Sequence, residues 1–387
     1  MISILAYLSV AIITALFTKL SMSDKYSKKI RIVCIIIAIV LPSVFAGIRQ
    51  GIGTDYDIHE AVFKQIDNHE PITEKKVPEI GYVLLNQIVS FLGGNFNVLL
   101  FVITLLSMLC IYQTCKFYKN KINVFIAMLA YMLLYYQMSF NFIRQMLAAS
   151  IALYGTTYLA QGKKIKSLLW CIVAGCMHNT AFFYIPIILI YSFLTNERYR
   201  KWKNVAYVVC TVLVFTYPIF ILPMLEVVED WIPSLEYFFN YLAVDYEELG
   251  IGILRYPLLF ILPTVLLFKD VKKEKAMLGY FEINMIGFIL WLTSYVAKME
   301  FYRFSYTFLI SMIILMAYNW KQIQVHPISI GLSKIKNEKL KGIITYLEKH
   351  QVVIYRGSML ILLVFFWYYD YFYLGAHETV PYVTIFR

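Results

Sequence analysis

About 20 consecutive apolar residues make a helix long enough to cross the hydrocarbon core of a bilayer. Runs approaching that length recur along this chain. They lie near 2–18, 31–48, 96–115, 122–137, 141–160, 204–224, 253–268, 277–297, 301–319 and 353–373. The expected fold is therefore all-α: a polytopic transmembrane helix bundle of about 10–12 crossings. Composition agrees, with 60% hydrophobic and only 15% charged residues. No low-complexity linker, internal repeat or separate soluble domain is visible, so 1–387 reads as one integral membrane domain.

The formal net charge of +11 has a simple explanation in the positive-inside rule, which concentrates Lys and Arg in cytoplasmic loops. No basic groove interleaved with aromatics supports a nucleic-acid partner. Lys19, Lys25, Lys28, Lys29 and Arg31 place the first loop inside, and Lys116, Lys119 and Lys121 mark the next inner loop. Lys163, Lys164 and Lys166 are inside again, as are Arg198, Arg200, Lys201 and Lys203. Segment 167–195 must then leave and return within 29 residues, too few for two full spans. It is expected to be a re-entrant or broken helix pair with His178 and Asn179 near its tip. Segments 49–94 and 225–252 become outer loops, both termini are expected outside, and 320–352 is expected to hold a cytoplasmic amphipathic segment. The six cysteines lie in or at the ends of apolar runs without a C-x-x-C pair, and read as small buried hydrophobes.

This topology gathers Arg49, Arg144, His178, Arg255 and Arg303 in one slab near the outer leaflet, against the usual bias. An Arg within a span is expensive and signals function by default. Each also has a bland reading. Arg49 can snorkel to headgroups, Arg255 can pair with the acidic loop before it, and Arg303 can pair with Glu300. His178 can be satisfied by backbone at the turn. Arg144 is expected about one turn into its helix, too deep to snorkel, with no acid among its helical neighbours Asn141, Gln145 and Ala148; Asp55, Glu79 or a ligand must neutralise it.

The outer segment from Arg49 to Asp57 contains Gly51 and Gly53, which permit a tight turn or close backbone approach, followed by Asp55 and Tyr56. No strand precedes these glycines, so a dinucleotide site is rejected. Glu79 opens an amphipathic stretch in which Tyr82, Leu85, Ile88, Val89 and Leu92 recur at helical spacing, the pattern of an interfacial helix. Clustered Arg and His at a headgroup level suit lipid-linked pyrophosphate, because Arg grips phosphate oxygens bidentately. A carboxylate or His beside them can take a proton from a sugar hydroxyl.

Five short motifs then fall in a recognisable order: Arg49-x3-Gly53-Thr54-Asp55-Tyr56, Glu79-x-Gly81-Tyr82, Arg144-Gln145-x2-Ala148, His178-x-Thr180-Ala181 and Arg303-x2-Tyr306. In this the chain resembles the EpsG family of bacterial membrane proteins, which includes Wzy-type polysaccharide polymerases. The resemblance runs from Arg49 to the end. A further Tyr is expected shortly after Tyr56, where this chain has Ile58-His59.

The resemblance implies a GT-C-like helical fold and polymerisation of undecaprenyl-pyrophosphate-linked oligosaccharide repeat units into capsule or exopolysaccharide. The activity would lie at the outer face of the bacterial plasma membrane. A flippase or another lipid-dependent glycosyltransferase or ligase remains the alternative. His178, Asp55 and Glu79 are the candidate catalytic residues. Arg49, Arg144 and Arg303, with Tyr56, Gln145 and Tyr306, are the candidate pyrophosphate and substrate contacts. No metal and no cofactor are expected, since arginines supply the positive charge. Expected partners are the lipid-linked oligosaccharides, the bilayer, and a chain-length regulator and flippase of the same pathway.

Overall fold

The computed structural model describes residues 2–73, 78–216, 250–297, 301–327 and 338–386, and these are helical almost throughout, with no strand among them. Five of the expected crossings are helices long and apolar enough to span a bilayer. Four are α1 (Ile2–Ser21), α2 (Lys28–Gly47), α5 (Phe96–Phe117) and α12 (Lys275–Ala297). The fifth is α15 (Glu338–Tyr368), which continues in wider turns to Tyr373. Side-chain caps begin two of them: Ser27 accepts from the Ile30 N–H, and Asn95 from the Val98 N–H. The chain is thus a multi-pass helical membrane protein.

Three of the other crossings, those expected over 122–137, 253–268 and 301–319, are interrupted, and residues 217–224 of the one expected over 204–224 lie outside the described residues. Val124–Tyr131 (α6) runs on in wider turns through Tyr136 and is followed by Met138–Asn141 (α7). Residues 250–271 form a string of short turns whose Pro257 and Pro263 each remove a helix donor. Phe301–Leu309 (α13) and Met312–Val325 (α14) meet at a break. α15 begins well before residue 353, so residues 338–352 continue directly into the last crossing. The outer loop 225–252 falls outside the described residues except at its last three positions, as do Glu74, Lys298, Glu300 and 328–337.

One boundary differs from expectation in a way that matters for the site. The crossing expected over 141–160 begins at Ile143 (α8, Ile143–Ala160), because Phe142 has ψ 54 and leaves the helical range. No Pro or Gly causes this break. The Phe140 carbonyl accepts from Arg49 Nη2 at 3.3 Å, and the side chain of Asn141 is bonded to another loop. Tertiary contacts win over local propensity. Arg144 is consequently the second residue of its helix, not one turn in, and Asn141 is not its helical neighbour.

Segment 167–195 is a broken pair. Lys164–Met177 (α9) has 14 residues, about 21 Å at 1.5 Å per residue, which is shorter than the hydrocarbon core. His178 turns extended (φ −158, ψ 128), one 3₁₀ turn follows over Asn179–Phe183, and α10 (Tyr184–Leu194) returns. Phe182 folds over Gly175, where a β-carbon would stand 2.3 Å from its ring. The returning limb, Asn179–Leu194, meets α11 (Arg200–Thr216) at 93°. At that corner Glu282 of α12, fully buried, takes Lys203 at 2.9 Å and Arg200 at 2.8 Å.

Two further short helices, α3 (Tyr56–Asp67) and α4 (Ile80–Phe91), lie between α2 and α5 and pack on each other. Asn97 at the start of α5 donates to the carbonyls of Gly47 (2.7 Å) and Arg49 (3.0 Å), so the end of α2 and the start of α5 share one end of the bundle. The tail beyond α15 returns to the same end. Gln50 N–H bonds the Val383 carbonyl (3.1 Å), Ile385 N–H the Ile48 carbonyl (3.0 Å) and Gly53 N–H the Glu378 carbonyl (3.3 Å).

Candidate active site at one end of the bundle

The start of α4 supplies the organising side chain. Glu79 has extended backbone (φ −61, ψ 146) and makes no capping bond to its own helix. Its carboxylate instead reaches outward. Oε2 takes Arg144 Nη1 of α8 at 2.7 Å, and Oε1 takes the Asn179 N–H of the hairpin tip at 3.2 Å. Gly81 permits this approach, since a β-carbon there would stand 2.7 Å from the Cys176 carbonyl oxygen of α9. Burial alone would raise the Glu79 carboxyl; His178 and Arg144 outweigh it and hold the group below the usual carboxylate range.

Arg144 is held from below as well. Its guanidinium carbon lies 5.4 Å from the ring centroid of fully buried Tyr82. The Tyr82 hydroxyl and His59 Nδ1 share a hydrogen bond of 3.2 Å. Burial, reinforced by Arg144, pushes the His59 imidazole down to about 3 and keeps it neutral. The ion pair with Glu79 is the one hydrogen-bonded contact of the Arg144 side chain among the described residues, and 24% of that side chain is exposed.

A hydrogen-bonded line ties Arg144's helix to the hairpin tip. Gln145, nearly fully buried, donates to the Arg303 carbonyl and toward Thr307 Oγ1 (3.5 Å). Thr307 Oγ1 bonds Thr180 Oγ1 (3.2 Å), which lies 2.8 Å from His178 Nδ1. The Thr180 N–H also points at that nitrogen, at 3.4 Å.

The Phe142 break makes a second platform. The Arg303 guanidinium sits 5.1 Å from the Phe142 ring centroid, and the His377 ring of the tail meets the same ring edge-on at 4.9 Å. Beside it, Asn141 Oδ1 accepts from Thr54 Oγ1 (2.6 Å) and from the Asp55 N–H (2.9 Å), while its Nδ2 faces His377 Nδ1 at 3.2 Å. Gly53, at φ +106, lets the Thr54–Asp55 loop pass the Phe140 carbonyl, where a β-carbon would stand 2.8 Å away.

Residues 32–330, well over half of the chain, match the EpsG family. The chain belongs to the EpsG family. No curated protein and no solved structure matches it. EpsG membership associates the chain with polysaccharide biosynthesis in a membrane.

Within this EpsG chain the candidate residues divide. Glu79, Arg144, Gln145, His178 and Arg303 are brought together, and Asp55 is tied to the neighbouring Asn141. Arg49, Tyr56 and Tyr306 line the interior instead. Arg49 is 1% exposed, donates to the Ala46 carbonyl (2.8 Å) and stacks on Phe140 (4.3 Å). It does not snorkel outward. Tyr56 packs edge-to-face on Phe96, and Tyr306 lies buried against Phe142 and Tyr302. Arg255 pairs with Asp370 at the end of the last crossing. Asn141, Phe142, His59 and His377 are the neighbours that spacing alone did not bring to the site. Among the described residues no three His, Cys, Asp or Glu side chains converge as metal ligands would.

Proposed function

We propose that this EpsG-family chain polymerises undecaprenyl-pyrophosphate-linked oligosaccharide repeat units into a capsular or extracellular polysaccharide, at the outer face of the plasma membrane. The observation that carries this reading is the Arg144 guanidinium. One N–H is fixed by Glu79, the ring of Tyr82 supports it, and its remaining donors form no hydrogen bond among the described residues. A planar fork of N–H donors at the end of a lipid-embedded bundle fits a pyrophosphate headgroup. Lys28 begins α2, Lys116 lies in the last turn of α5 and Lys163 follows α8, each at the end of its helix away from the site, which supports an outward-facing site.

In this scheme a hydroxyl of the acceptor repeat unit attacks the anomeric carbon of the donor's reducing-end sugar. The new C–O bond forms as the bond from that carbon to the pyrophosphate oxygen breaks, and undecaprenyl pyrophosphate leaves. Charge develops on the leaving group, so the fixed donors of Arg144, with Arg303 nearby, lower the barrier. Glu79 is a poor base, because both of its oxygens are engaged and its carboxyl is held down; it positions Arg144 and the hairpin tip. His178 accepts the Thr180 N–H at Nδ1, so its neutral ring carries the hydrogen on Nε2. It stands at the hairpin tip next to Asn179, which Glu79 holds, and Asp55 takes the hydroxyl proton.

Purified protein in proteoliposomes, supplied with undecaprenyl-pyrophosphate-linked repeat units, tests the reading. Longer glycan with stoichiometric free undecaprenyl pyrophosphate supports it. Transfer of the unchanged lipid-linked unit across the bilayer without elongation assigns a flippase instead.

A further inference from the structure

The tail segment 375–385 crosses the same end of the bundle, yet none of the five motifs includes it. It is firmly held. Thr379 Oγ1 accepts from Gln137 Nε2 (3.0 Å), the Thr379 carbonyl accepts from Tyr7 (2.8 Å), and Gln137 Oε1 in turn receives Trp367 Nε1 (2.6 Å). These bonds sustain two consecutive non-glycine residues in the left-handed region, His377 (φ 65) and Glu378 (φ 49). Residues with a β-carbon rarely adopt that conformation, and it persists only where surroundings over-determine it. The consequence is that the His377 ring is presented to Phe142, whose ring also carries Arg303.

The tautomer of His377 follows from its partner. Asn141 Oδ1 already accepts from the Asp55 N–H, which can only donate. The other atom of that amide is therefore the NH₂ group, and it donates to His377 Nδ1. A neutral imidazole accepting at Nδ1 carries its proton on Nε2. Burial, with Arg255 and Arg303 in support, pushes the ring down to about 4 and keeps it neutral. The bond from Asn141 is the one hydrogen bond that His377 makes among the described residues, so among them its Nε2–H is an unused donor, on a ring that shares Phe142 with the Arg303 guanidinium.

We propose that His377 contacts the substrate, donating from Nε2 to a phosphate or sugar oxygen of the headgroup held beside Arg303. This rests on the reading of the site as one for lipid-linked pyrophosphate. It adds the chain's tail to that site and gives Asn141 a positioning role, since Asn141 selects the tautomer.

Two amide substitutions separate this role from a structural one. In His377→Asn the amide oxygen falls where Nδ1 was and keeps the Asn141 bond, and Asn tolerates the left-handed backbone. In His377→Gln the amide nitrogen reaches the Nε2 position. Polymer formed per amount of protein in the proteoliposome assay is expected to fall about tenfold or more in His377→Asn and to be partly retained in His377→Gln. Asn141→Asp reads the same claim without touching His377: a carboxylate cannot donate to Nδ1, so the ring must turn over its proton, and polymer is expected to fall similarly. Wild-type rates in His377→Asn or Asn141→Asp overturn the proposal while leaving the polymerase reading intact. Loss of folded protein in both assigns the contact to structure and also overturns it. A wild type that makes no polymer defeats the polymerase reading itself, and this proposal with it.

Discussion

Glu79 Oε2 and Arg144 Nη1 lie 2.7 Å apart across 65 residues of sequence, and the other oxygen of the same carboxylate holds the backbone of Asn179. One side chain thus joins the start of a short connecting helix, the start of a crossing and the tip of the broken pair. Glu79→Gln keeps an acceptor for Asn179 but removes the charge opposite Arg144. Both side chains are mostly buried, so the substitution is expected to cost about 1–3 kcal/mol. Thermal unfolding in detergent should give a lower Tm. Combining it with Arg144→Gln should cost less than the sum of the two single changes. Additive losses would mean that the pair does not interact.

Gly81→Val tests whether the clamp depends on backbone contact. A β-carbon at 81 meets the Cys176 carbonyl, which cannot swing away as a flexible side chain would. α4 must shift off α9, carrying Glu79 from the hairpin tip. We expect about 1–3 kcal/mol of destabilisation and loss of polymer. Unchanged stability and glycan length would contradict so close an approach of α4 to α9.

Much of this was legible in the chain itself. Hydropathy located the uninterrupted crossings, and charge counting called for a broken pair at 167–195, because 29 residues cannot make two spans. The motif around Glu79, Gly81 and Tyr82 acquires a reason in one counter-ion, one close approach and one supporting ring. The break at Phe142 was not legible. It is made by Arg49 and Asn141 reaching other segments, and no Pro or Gly marks it. His377 was equally hidden, since it meets Asn141 across 236 residues. Arg49 looked like a ligand-facing cation from its position at a helix end, but a charge at an end can turn inward when carbonyls and a ring are there to receive it.

Acid should weaken the fold through two histidines. His377 and His59 are held neutral, with pKa values pushed down to about 4 and about 3. The unfolded chain takes up those protons below about pH 6.5 and the folded chain does not. Stability is therefore full above pH 6.5 and declines as pH falls toward 4. Tm measured from pH 7.5 to 4.5 should drop, and His59→Gln should flatten part of the slope. A flat profile in the wild type would mean that these rings are not kept neutral.

Polymerisation should survive EDTA, because in this scheme Arg144 and Arg303 neutralise the leaving pyrophosphate. Chain formation in proteoliposomes, measured with and without chelator, checks this. Activity abolished by EDTA and restored by magnesium or manganese would require a different account of the leaving group.

The most direct measurement is glycan length in a deletion strain complemented with wild type or with Arg144→Lys. Lys keeps the charge and the pairing with Glu79 but lacks the planar fork. The deletion should leave single repeat units at the cell surface, and wild type should restore long chains. Arg144→Lys should accumulate in the membrane normally yet reduce polymer by on the order of 10²-fold. Long chains made by Arg144→Lys at the wild-type level, or a deletion that leaves no surface repeat unit, would contradict a polymerase site built on Arg144.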